Sequence, residues 1–156
     1  MFMVDFKSKK DKMRVLEGRP WVVEGSLFAI EDYDGLLVPL SYLFEKAAFW
    51  VWIYNLPLAC MSLIVGNQIK SSMGQVLEVD VDEGGMGWGE CLRVKILLDL
   101  QKPLSRGRKL KINGSSILVT FQYEKLSKFC FRCEAIKHKG TRCPERHDVR
   151  AQNALT

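Results

Sequence analysis

The segment Cys130-Phe-Arg-Cys133-Glu-Ala-Ile-Lys-His138-Lys-Gly-Thr-Arg-Cys143 gathers three thiols and one imidazole into fourteen residues, with the spacing C-x2-C-x4-H-x4-C. These are the donor types that zinc takes in a tetrahedron. Two cysteines separated by two residues can bite one ion from a tight turn, and the short steps to His138 and Cys143 let a single loop close the shell. The segment holds only Phe131, Ala135 and Ile136 as apolar side chains, too few for a core. Metal binding would therefore supply its folding free energy, on the order of 10–16 kcal/mol for a structural zinc. Four protein ligands leave no open position, so the expected ion is single and structural, not catalytic. The bland alternative is a chance cluster of thiols beside a surface histidine. His147 is a spare donor four residues past Cys143 and is placed outside the shell, because His138 has the better spacing. Cys60 and Cys91 lie in apolar segments and read as buried or half-buried thiols. An odd total of five cysteines, three of them clustered, suits a reducing compartment better than a disulfide framework.

Charge is distributed unevenly along the 156 residues. Residues 1–124 carry 15 basic and 15 acidic side chains, whereas residues 125–156 carry 8 basic and 3 acidic ones, so the whole net charge of +5 lies at the C-terminal end. A polyanion would meet that end first.

Upstream, hydrophobic periodicity outlines the elements that must position this end. Phe2, Val4 and Phe6 alternate like a strand; Ser8, with Asp11 three residues on, offers an N-cap for a helix over 9–17 with Met13 and Leu16 inward; Gly25–Glu31 reads as a second strand. Residues 32–46 form a connection. From Phe49 the pattern splits: Phe49, Val51 and Ile53 face one way, Trp50, Trp52 and Tyr54 the other. A helix is expected over 58–72, then a strand over 75–81 with Leu77, Val79 and Val81 on one face, and a strand over 91–99 with Leu92, Val94, Ile96 and Leu98 inward. Asn113-Gly114 between 109–112 and 115–123 is a strong hairpin signal. The sum is an α+β fold, an antiparallel sheet with one or two short helices; its pieces resemble RNA-recognition-motif units, and the segment that follows resembles a small CCHC zinc knuckle. The expected organisation is a partial strand–helix–strand unit over 1–46, the sheet domain over 47–126, the knuckle over 127–146 and a disordered tail over 147–156.

The uncharged run Ala47–Ile69 is long enough to span a bilayer, but Asn55 and Pro57 interrupt it and its aromatic residues run into the middle, so no membrane partner is expected. The charged first ten residues do not resemble a signal peptide. An intracellular location, nucleus or cytoplasm, follows as the expectation. No catalytic set appears: G-x-S-x-G and P-loop patterns are missing, and the acidic groups Asp80/Asp82/Glu83 and Glu31/Asp32/Asp34 lie beside turn residues and read as loop polarity. The chain is expected not to be an enzyme.

The C-x2-C-x4-H-x4-C segment resembles the zinc knuckle of retroviral nucleocapsids and retroelement proteins. Further phrases extend the likeness: Val15–Trp21 (VLEGRPW), Phe49–Leu58 (FWVWIYNLPL), Gly74–Asp80, Leu92–Lys95, Asp99–Leu104 and Phe121–Leu126 ahead of Phe129-Cys130. Together they resemble plant proteins similar to the first open reading frame of LINE-type retrotransposons, in which a domain of unknown function precedes such a knuckle. Glu134 and Lys137 depart from that pattern, occupying positions where knuckles usually carry glycine, and the opening of the domain is short.

The resemblance implies one zinc ion and non-catalytic binding of single-stranded nucleic acid, RNA ahead of DNA, with homo-oligomeric or ribonucleoprotein assembly left open. Phe131, just after the first cysteine, would stack on an unpaired base, with Ile136 as an adjacent apolar wall; Arg132, Lys137, Lys139 and Arg142 would meet phosphates. Against this stand packing of Phe131 on the sheet domain and plain solvation of the basic residues. Trp50, Trp52 and Tyr54 could display an aromatic platform, but the favoured reading is a second core surface covered by 1–46. The rival functions are a zinc-dependent protein-interaction module and a non-functional truncated fragment.

Overall fold

The computed structural model describes residues 2–36, 44–69, 73–126 and 136. The expected knuckle, apart from Ile136, and the expected tail lie outside the described residues. The architecture is α+β: nine-residue helix α1 (Lys9–Glu17), a two-stranded sheet β1 (Trp21–Val23) and β2 (Ser26–Phe28), and a five-stranded sheet of β3 (Lys46–Tyr54), β4 (Gln75–Val79), β5 (Cys91–Asp99), β6 (Gly107–Ile112) and β7 (Ser115–Tyr123). A short helix α2 (Leu63–Gln68) joins β3 to β4. The large sheet runs β4-β5-β3-β7-β6 and every pairing in it is antiparallel.

Strict alternation builds the centre. Phe49, Val51 and Ile53 of β3, Leu92, Val94 and Ile96 of β5 and Val119 of β7 are fully buried on one face, together with Ile69 beyond α2. Met61, Leu56 and Leu104 close over this face. At the far hairpin, Asn113 and Gly114 both have positive φ (50° and 79°), the geometry of a type I′ turn. That turn fixes the register Ile112↔Ser115 through Gly107↔Thr120.

Several expectations change. Residues 2–6 form no strand, and Phe2, Met3 and Val4 are exposed; alternation cannot make a strand without an edge to pair with. The segment after α1 becomes a hairpin, turning at Glu24-Gly25 with φ of 50° and 73°. Ser8 stands at the N-cap of α1 but its side chain makes no capping bond, and Met13 is exposed. The expected helix over 58–72 is divided into a 3-10 turn at Leu58–Cys60 and α2 at Leu63–Gln68. The intervening backbone is used elsewhere: Gly87 N–H donates to the Met61 carbonyl (2.7 Å) and Leu63 N–H to the Gly85 carbonyl (3.0 Å). In β4 a bulge between Val76 and Glu78 turns Val76 and Val79 inward and leaves Leu77 exposed; an extra residue resets a period of two. Gly66 faces β4 so closely that a Cβ there would lie 2.8 Å from Val79 Cγ1. Among the described residues no helix is long and apolar enough to cross a membrane, and the first part of the uncharged run 47–69 is strand β3.

Candidate nucleic-acid interface

Of the residues singled out for chemistry, Cys130, Cys133, His138 and Cys143, with Phe131, Arg132, Lys137, Lys139 and Arg142, lie outside the described residues. Their donor chemistry suits zinc: three thiolates and one imidazole complete a tetrahedral shell without water. Among the described residues no group of three or more His, Cys, Asp or Glu is placed to hold a metal ion. Cys60 and Cys91 are free, half-buried thiols, as their apolar settings suggest.

Ile136 is the point of the knuckle segment that the structure describes. It is only 7% exposed and belongs to the core cluster of the sheet domain, with Leu104, Val119 and Phe121 among its members. A lone branched aliphatic side chain on a polar segment gains about 1.5–3 kcal/mol by entering an existing core.

The opposite face of the large sheet is more open than expected. Trp50, Trp52 and Tyr54 project from it along β3. The Trp52 and Tyr54 rings stack with centroids 6.4 Å apart and planes inclined by 24°. Arg93, opposite Trp52 on β5, lays its guanidinium 3.8 Å from the centre of the Trp50 ring, and Lys95 Nζ lies 5.5 Å from the same ring. Arg93 Nε also donates to Glu124 Oε1 at 2.6 Å and Nη2 to Oε2 at 3.1 Å, a two-pronged ion pair. Trp52 Nε1–H donates to the same Glu124 Oε1. The Arg93 hydrogen bond is the main cause holding the Glu124 carboxyl below its ordinary pKa, and the same pairing raises that of Arg93. Cys91 lies opposite Tyr54; burial is the main cause pushing its thiol pKa up, and loss of solvation, then Cys91, raises that of the Tyr54 phenol.

The N-terminal unit covers this face only in part. Lys95 Nζ donates to the Glu17 carbonyl (3.3 Å) and Lys125 Nζ to the Gly18 carbonyl (3.2 Å), so the end of α1 meets the sheet near Trp50. Ala48, at the start of the same face, is buried where Arg19, Pro20 and Leu27–Glu31 gather around β3. Beyond Trp50 the cover stops: Trp52 is 36% exposed and Leu118 57%. The expectation of a second core surface thus holds at the Ala48–Trp50 end and fails at the Trp52–Tyr54 end. A helix of nine residues rises only about 14 Å, too little to cover five strands.

Two lysines of the same face were missed from the sequence. The hairpin register sets Lys109 opposite Leu118 and Lys111 opposite Ser116. Both are exposed, and neither makes an ion pair among the described residues. The signal was present: the alternation Lys109-Leu-Lys111-Ile and the Asn113-Gly114 turn together fix which side the lysines take.

No solved structure matches this chain. A relative in Arabidopsis thaliana, "Uncharacterized protein At4g02000", is 23% identical over 137 residues, covering 87% of this chain and 43% of its own length, so the chain spans less than half of that curated relative. The family described as "Zinc knuckle" matches residues 98–145, a span that contains all four expected ligands and begins within β5. A CCHC zinc knuckle is thus found at the C-terminal end of the chain, and zinc binding follows, with nucleic-acid or protein binding as its coarse function.

Proposed function

We propose that the chain is a non-catalytic, intracellular binder of single-stranded nucleic acid, RNA ahead of DNA, in which Cys130, Cys133, His138 and Cys143 hold one structural zinc ion. The observation that carries this reading is the zinc-knuckle match over 98–145, placed at the end where the entire excess of positive charge is gathered. Phe131 stacks on an unpaired base, a contact worth about 1–3 kcal/mol and tolerant of base identity. Arg132, Lys137, Lys139 and Arg142 neutralise phosphates. The order of the family-like phrases along the chain supports descent from a retroelement. The succession β3–α2–β4–β5 with spatial order β4-β5-β3 supports an RNA-recognition-motif-like reading of the sheet as far as β5, beyond which the β6–β7 hairpin takes the place of a second helix and strand.

Elemental analysis of the purified chain against Cys133→Ser tests the metal: one zinc per chain is expected, and its loss in the variant. Filter binding to a single-stranded oligonucleotide across salt concentrations tests the ligand. With roughly four phosphates neutralised, log K falls against log salt with a slope near −3. A slope near zero refutes phosphate recognition, and unchanged affinity in Phe131→Ala refutes stacking at that residue.

A further inference from the structure

The open end of the large sheet's outer face combines two ingredients that a knuckle alone does not provide: a stacked aromatic pair and two uncommitted cations on a flat surface. Tyr54 shares its register row with Cys91, Thr120 and Gly107, and Trp52 shares its row with Arg93 and Gln122. The Tyr54 row holds no acidic side chain, the Trp52 row ends at Asp80, whose carboxylate lies 3.5 Å from Arg93 Nη1, and Gly107 contributes no side chain above the sheet. One step further along the hairpin come the rows Leu118–Lys109 and Ser116–Lys111. The lysines stand on the second strand over from the rings, about 10 Å across the sheet. Glu124, the carboxylate that fixes the Trp52 indole, is paired with Arg93 through a two-pronged contact, and Arg93 also reaches Asp80; the lysines on β6 lie away from both carboxylates and supply the positive charge of the face.

We infer that this face, centred on Trp52 and Tyr54 and flanked by Lys109 and Lys111, is a second contact surface for single-stranded nucleic acid, separate from the knuckle. Bases lie against the exposed edges of the two rings and Leu118, and the backbone passes over Lys109 and Lys111. Any base offers a π-face to the rings, so the surface adds length and affinity to the footprint without reading sequence. The inference rests on the reading of the chain as a nucleic-acid binder, and it assigns part of that binding to the sheet.

The test is fluorescence anisotropy of a labelled oligouridylate of about 20 nucleotides, long enough to reach beyond one site, titrated with the full zinc-loaded chain. Trp52→Leu is expected to raise Kd by about 5- to 150-fold, the equivalent of one stacked base. The pair Lys109→Glu/Lys111→Glu is expected to raise Kd about tenfold or more and to flatten the salt slope by about 1.4, two phosphate contacts on a single strand. Both effects should multiply with that of Phe131→Ala. If Trp52→Leu does not melt like the wild type, the lysine pair decides alone, since both side chains are exposed. A Kd unchanged by the lysine pair and by a folded Trp52→Leu overturns the sheet surface and leaves the knuckle reading intact. Binding that persists in Cys133→Ser and still responds to the lysine pair supports the sheet surface and counts against the knuckle. A wild-type chain that ignores the oligonucleotide overturns both.

Discussion

Replacing Ile136 with alanine separates two pictures of the knuckle, a bead on a string and a module seated on the sheet domain. At 7% exposure within the core cluster, Ile136 would lose most of the transfer free energy of its branched side chain on truncation. Buried Ile→Ala changes cost about 2–5 kcal/mol. Partial relaxation of the surrounding side chains into the gap sets the cost in the lower part of that range, about 2–3 kcal/mol. For a chain of this size each kcal/mol lowers Tm by about 2–4 °C, giving a fall of about 4–12 °C. The assay is a thermal melt followed by far-ultraviolet circular dichroism, which the sheet dominates, run with zinc and again with a chelator. In zinc the variant should melt lower. In chelator the gap should narrow, because a segment without its ion pays more chain entropy to keep any residue seated. Melting curves within 1 °C of each other in zinc would refute the seating of Ile136 and restore the free-standing bead.

Other predictions address the sheet itself. Gly66→Val forces new methyl groups into the 2.8 Å gap to Val79 and should cost about 1–3 kcal/mol by overpacking, read as a lower urea midpoint with an unchanged slope. The Glu124 carboxyl, held low chiefly by Arg93, adds stability that is fully present above the ordinary glutamate value of 4.5 and is lost as pH falls through its lower folded value. The pair is partly exposed, with side chains 33% and 24% accessible, so solvent screening limits the effect to about 1 kcal/mol; a urea midpoint that falls between pH 6 and pH 3 in the wild type should fall less in Glu124→Gln. Gly114→Val places a β-branched residue at φ of 79° and should lower stability by about 1–3 kcal/mol, detectable in the same urea titration.

Legibility from the sequence followed the physics of each signal. β5 was readable to the residue because its alternation is unbroken and its inward positions are all large aliphatics. The β6–β7 hairpin was readable because Asn-Gly demands one turn type. The zinc knuckle was readable because its donor spacing tolerates few substitutes. What failed depended on partners distant in the chain. A strand at 2–6 pairs with neither edge of the large sheet, the helix over 58–72 lost its middle to hydrogen bonds from the 82–87 loop, and β4 hid a bulge that exchanged Leu77 for Val76. At the candidate interface the aromatic stripe was visible, but its partial cover was not. That required the β3–β5 register, which brings Arg93 over Trp50, and the placement of Glu124 some 70 residues from Trp52. The burial of Ile136 was not visible either, because its segment is otherwise polar and a local reading cannot see a core supplied from elsewhere.

The carboxylate of Glu124 also sets a distance. It is hydrogen-bonded to the Trp52 indole, and Cys130 follows it by six residues, so the first thiol of the proposed zinc site is tethered within about 22 Å of that carboxylate's backbone however the intervening chain runs. A strand captured by one of the two surfaces is thereby presented to the other at a local concentration in the millimolar range. Two individually weak, base-indifferent grips so joined would hold long single strands far better than short ones, and the chain would discriminate by length where it cannot discriminate by sequence.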